Sequence, residues 1–169
     1  MANMKTKRLL LVIAISLLLL FLFTSLLKSN NNYKIYVRED MKQAVIRLNQ
    51  YISDSSIEIR SVIRDNKINV TQLESLEQQH SIISKEITNL HLKGRITGGK
   101  LKEEAEKVYS AFFYSKARND EAINQYYKTL SRKSVTDKYI KLESTDITEL
   151  ESIISFYNEF AEKLSNINH

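Results

Sequence analysis

Residues 33–64, YKIYVREDMKQAVIRLNQYISDSSIEIRSVIR, decide the fold class. Val37, Met41, Val45, Leu48, Ile52, Ile59 and Ile63 recur at three- and four-residue steps, which stacks them on one face of a helix. Lys42, Arg47, Asp54 and Glu58 fall mostly on the other face. A helix of this length is ~48 Å long at 1.5 Å per residue. Propensity alone does not hold it, so the stripe must be buried against partner helices. A coiled coil running in from upstream is compatible with the stripe, which fades at Ser55 and Ser56. A homo-oligomer is compatible with it too.

Downstream, Asp65 to Val70 reads as a turn. Thr71 sits three residues before Glu74, the spacing of a capping box. Leu73, Leu76, Ile83, Ile87 and Leu90 form a second stripe, with Gly94 placed as its C-cap and Lys93 in the last turn. Residues 94–99, GRITGG, hold all three glycines of the chain and predict a loop or hinge. A third helix is expected from about Lys100 to Leu130, with Leu101, Ala105, Val108, Phe112, Ile123, Tyr126 and Leu130 apolar and an interruption at Ser115 and Asn119. The interruption implies either a polar core layer or a bend. Ser131 to Glu143 is the least regular stretch, read as a loop with a helical turn around Tyr139 and Leu142. A fourth helix begins near Asp146, three residues before Glu149, and carries Ile147, Leu150, Ile154, Tyr157, Ala161 and Leu164.

Composition agrees with long helices joined by short links. The 169 residues include no proline and only three glycines, the residues that turn-rich β folds need. Four amphipathic helices with short connections predict an antiparallel bundle over residues 33–169.

Upstream lies LLLVIAISLLLLFLFTSLL, residues 9–27, with no charge and only Ser16, Thr24 and Ser25 polar. Nineteen residues rise ~28 Å, close to a ~30 Å hydrocarbon core. The expectation is therefore an all-α chain with one N-terminal transmembrane helix ahead of the bundle. Residues 1–8 form a short basic tail, 9–27 a signal anchor, and 28–32, with Asn30 to Asn32, a polar linker. A cleaved signal peptide fits less well, because the apolar run is long and no small-residue cleavage site follows it. Lys5, Lys7 and Arg8 abut the run, so the N-terminus is expected in the cytoplasm and the bundle outside the cell membrane. In outline this layout resembles bacterial receptor ectodomains, which need a second span, and none follows here.

The net charge of +5 does not predict nucleic-acid binding. Removing Lys5, Lys7, Arg8 and Lys28 from the 25 Lys and Arg leaves 21, against 20 Asp and Glu, so the helical part is nearly neutral. With no cysteine, disulfides, thiolate metal sites and thiol nucleophiles are excluded. His80 and His91 are eleven residues apart, ~16 Å along a helix, too far to share a metal, and both read as polar-boundary residues. Glu103, Glu104 and Glu106 fit a helix start, where acidic residues are favoured. No Glu-x-x-His pair, P-loop or GxSxG elbow occurs. Asn69-Val70-Thr71 is a formal glycosylation sequon. No catalytic residue, metal or cofactor is expected, and the chain does not read as an enzyme.

Two surface expectations follow. In an up-down bundle the 94–99 loop returns to the base of the first helix. Lys93, Arg95, Lys100 and Lys102 then join Lys34 and Arg38 in a basic collar facing anionic lipid headgroups or an anionic wall polymer. Among the aromatics, Tyr109, Phe112 and Phe160 read as core, whereas Phe113 and Tyr114 are candidate contacts for a protein partner. The functional expectation is a membrane-anchored interaction or scaffold protein whose partners are the lipid bilayer and a protein or envelope component. The alternative is a sensor-like ligand-binding module with a pocket between helices near Ser115–Asn119.

Overall fold

The computed structural model describes residues 4–115, 120–133, 138–165 and 167, with side chains at 13 and from 15 onward. Five helices are present among these residues: α1 (Met4–Asp65), α2 (Val70–Thr97), α3 (Gly99–Phe113), α4 (Asp120–Lys133) and α5 (Ser144–Ser165). Two short strands, β1 (Lys67–Asn69) and β2 (Tyr139–Lys141), form an antiparallel ribbon.

The stripe of α1 is buried as its spacing requires. Val37, Met41, Val45, Leu48, Ile52 and Ile59 are all core residues. Helix α2 packs antiparallel on it, as the cross-links between them show. Asp40 meets Lys93 at 2.7 Å, Arg47 meets Glu86 at 3.6 Å, and the Ser55 hydroxyl bonds to Gln79 Oε1 at 2.5 Å. The last of these explains the fading stripe. Ser55 is buried, Gln79 also donates to Glu58 Oε2 at 2.8 Å, and Ser75 donates to the same oxygen at 3.0 Å. A polar layer of Ser55, Glu58, Ser75 and Gln79 therefore replaces the apolar one at this level, while the buried Ser56 hydroxyl meets no partner among the described residues. Helix α5 covers the other flank of α1, while α2 also packs against α3 and α4.

The connections depart from expectation in several places. The capping box at the head of α2 is built two residues earlier, on Asn69 and Gln72. Asn69 Oδ1 accepts from the Gln72 amide at 2.7 Å, and the Gln72 side chain accepts from the Asn69 amide at 3.0 Å. Thr71 and Glu74 are already inside the helix. Gly94 is not a C-cap, because α2 continues to Thr97. The turn is made by Gly98 and Gly99, whose φ angles of 69° and 59° lie in the left-handed region that suits glycine. Gly94 instead permits close approach of α3: a Cβ there would stand 2.6 Å from Ala105 Cβ.

The expected third helix is two. Helix α3 ends at Phe113 and α4 starts at Asp120, so the interruption at Ser115 falls just past the end of α3; Asn119 lies outside the described residues. The irregular 131–143 stretch supplies a strand rather than a helical turn. Ile140 pairs with Ile68, and both are buried beneath the ribbon. Asn66, at φ 52°, turns the chain from α1 into β1, and its carbonyl accepts the Leu142 amide at 3.2 Å. Asparagine tolerates that conformation better than most residues. At the head of α5, Asp146 is buried; it accepts the Glu143 amide at 3.0 Å and pairs with Lys133 at 3.0 Å.

The expected transmembrane helix is corrected. Among the described residues no helix is long and apolar enough to cross a membrane. Within the described side chains, the apolar residues from Ile15 to Leu27 are interspersed with Ser16, Thr24 and Ser25, and the same helix then continues into Lys28, Ser29 and three asparagines. The signal-anchor, single-pass and extracytoplasmic expectations lose their support with it. Residues 28–32 are no break either, since α1 runs through them as helix. What the structure shows at this end is a helical arm. Its large apolar side chains from Ile15 to Leu27 are all exposed, and the buried part of α1 starts only at Val37.

Candidate functional site

The basic residues expected to form a collar separate into groups. Lys93 is tied to Asp40, so its charge is neutralised within the α1–α2 interface. Arg38 and Lys100 line one cleft together. Lys34 is half-buried on α1, while Arg95 and Lys102 are exposed on α2 and α3. Of the aromatic candidates, Phe113 packs against the core, whereas Tyr114 is 71% exposed. Tyr109 bridges them, 4.6 Å from Phe113 and 6.3 Å from Tyr114, and stacks on His91 at 4.4 Å. Phe112 and Phe160 lie in the core, and Tyr109 packs against it.

His80 is not at a polar boundary. It is fully buried among Phe112, Tyr127 and Tyr157, with ring centroids at 5.7, 6.2 and 6.1 Å. Nε2 faces acceptors, Asp120 Oδ1 at 3.1 Å and the Asp120 carbonyl at 3.4 Å, so it carries the proton. Nδ1 shares a hydrogen bond with the Tyr157 hydroxyl at 2.8 Å. The imidazole thus uses both nitrogens to join α2, α4 and α5. Burial, with the Tyr127 side chain and the Asp120 carboxylate beside it, pushes the Tyr157 phenol well above its ordinary range. Burial pulls the Asp120 carboxyl the same way. The hydrogen bond and charge of His80, with help from Ser84 and Asn124, outweigh it and hold Asp120 below the usual carboxylate value of 3.8.

This constellation has the residue types of acid–base chemistry, set in the core among the described residues. His80 and Tyr157 have no exposed surface, and neither they nor Asp120 line any of the clefts described. Its role is to lock helices together, and the sign of its pH dependence follows. A carboxyl depressed in the folded state contributes stability above its unfolded pKa, and that contribution is lost as pH falls through the folded value. The urea midpoint is therefore expected to drop on acidification below about pH 4. Asp120→Asn is expected to be less stable at neutral pH and to converge on the wild type near pH 3, read by circular dichroism at both pH values.

Among the described residues no group of three His, Asp or Glu side chains is placed to hold a metal ion. A surface cleft of about 390 Å³ lies between α1, the start of α3 and Ile167. A second, of about 210 Å³, continues along α3 toward Lys163 of α5, with Glu104 lining both. No protein family, curated protein or solved structure matches this chain. The reading of function therefore rests on its own surfaces. Neither the His80 network nor the cleft was visible in the sequence. The histidine stood at a position compatible with the stripe of α2, but its partners come from helices 40 and 77 residues away.

Proposed function

We propose that the protein is a helical interaction module that works by association with a protein partner. The observation that carries this reading is the arm of α1. Ten large apolar side chains between Ile15 and Leu27 stand exposed, each at 49–69% of its full surface. Completely burying one such side chain is worth about 1.5–3 kcal/mol, so covering this half-exposed set gains on the order of 10 kcal/mol. A contiguous apolar surface of that extent marks an interaction site. The bundle that follows is rigidly cross-linked and gives the arm a fixed frame. Its buried polar groups serve packing, which supports recognition rather than catalysis. The alternative of a pocket between helices falls at 115–119, of which 116–119 lie outside the described residues.

The test uses the full chain and a triple variant, Leu18→Gln, Phe21→Gln and Leu22→Gln, cross-linked in cells. The wild type is expected to give a discrete cross-linked protein complex, and the variant at least tenfold less of it. A wild-type chain that sediments as a lone monomer in plain buffer would refute the reading. So would a chain recovered only with protein-free vesicles.

A further inference from the structure

The two clefts that meet at Glu104 form one seam. On α3 the lining residues Leu101, Glu104, Val108 and Ala111 follow helical spacing, so the seam runs ~15 Å along that helix. Its floor is apolar. Met41 and Ile167 are buried beneath the first cleft and Val108 beneath the second. Its rim is basic. Arg38 and Lys42 stand on α1, Lys100 and Lys107 on α3 and Lys163 on α5, against only two lining carboxylates, Glu39 and Glu104. The rim charges are loosely held: Lys42 is 3.8 Å from Glu39 and Lys100 is 3.5 Å from Glu104. Among the described residues Arg38, Lys107 and Lys163 have no ion pair. The other Glu104 oxygen, Oε2, is shielded from solvent and meets no donor among the described residues. Such an acceptor costs free energy until something donates to it.

We propose that this seam is the docking groove for an acidic amphipathic helix of a protein partner. The proposal rests on the interaction-module reading and supplies the chemistry of the partner. A helix laid along α3 presents apolar side chains at i, i+3, i+4 and i+7 to a floor spaced the same way. Its carboxylates then face the five cations, which steers the encounter and sets the orientation. A hydroxyl or amide donor beside the apolar stripe satisfies Glu104 Oε2. Charge complementarity selects this occupant over a basic or neutral helix, because the uncompensated rim opposes a basic one.

The test measures fluorescence anisotropy of a labelled peptide bound to the full chain. One peptide carries leucines on one helical face and glutamates on both flanks; its twin carries lysines in place of the glutamates. The acidic peptide is expected to bind at least tenfold more tightly, and Lys107→Glu with Lys163→Glu is expected to reverse that preference. Arg38→Glu with Lys100→Glu, at the other end of the groove, provides a second exposed pair with the same expected reversal. Absence of acidic-peptide binding, or a preference unchanged by both double variants, overturns the groove. If the peptides fail while the arm-dependent complex still forms, only the groove assignment falls. If the complex also fails, the interaction reading falls with it.

Discussion

His80→Ala is expected to lower the free energy of unfolding by about 3–5 kcal/mol, the range for breaking one member of a buried, hydrogen-bonded pair and leaving a cavity. Two losses combine at this position. The ring leaves a void between Phe112, Tyr127 and Tyr157, whose centroids surround it within 6.2 Å. The Tyr157 hydroxyl then loses its hydrogen-bond partner on His80 in a fully buried site, and Asp120 loses the group that keeps its carboxyl depressed. Total stability for a domain is only about 5–15 kcal/mol, so this one change consumes much of it. Urea unfolding followed by circular dichroism reads the effect. A loss below about 1 kcal/mol would show that the ring is not the joint between α2, α4 and α5.

Gly94→Ala gives the second large effect, and its sign runs against helix propensity. Inside a helix, alanine is favoured over glycine by about 1 kcal/mol. At Gly94 the added methyl would lie 2.6 Å from Ala105 Cβ, with the Leu101 carbonyl at 3.4 Å. Ala105 is a short, buried side chain in the first turns of α3 and has no rotamer by which to withdraw. The α2–α3 junction must open, at a cost of about 1–3 kcal/mol net, as for overpacking elsewhere in a core. Ala105→Gly in the same chain is expected to recover part of the loss, since it removes the facing methyl while adding its own helix penalty. Thermal unfolding of the two single variants and the double decides it. Additive losses would place the clash elsewhere.

The helix content and most of the core were legible because burial on one helix face imposes a spacing, and that spacing is local. Val37 through Ile59 on α1, Leu73 through Leu90 on α2 and Leu150 through Leu164 on α5 could be assigned from the residues themselves. The break near Ser115 could be located but not interpreted: a polar core layer and a helix end leave the same gap in a stripe. Ser55 shows the opposite ambiguity. There the stripe fades and the helix continues, because Gln79 and Glu58 supply the missing partners. The exposed apolar arm was conspicuous in sequence, but among the described residues no helix is long and apolar enough to cross a membrane.

What the sequence settled by itself was periodicity, and with it the helical class, the faces turned inward, and the absence of cysteine chemistry. Tertiary structure alone decided which distant residues meet. Asn69 rather than Thr71 caps α2, Ile68 finds Ile140 across a ribbon, His80 reaches Asp120 and Tyr157, and cations from three helices share a rim above one apolar floor. The division has a physical cause. Helical spacing is fixed by backbone geometry within a few residues, whereas a buried hydrogen bond or a groove depends on how whole helices are set against each other.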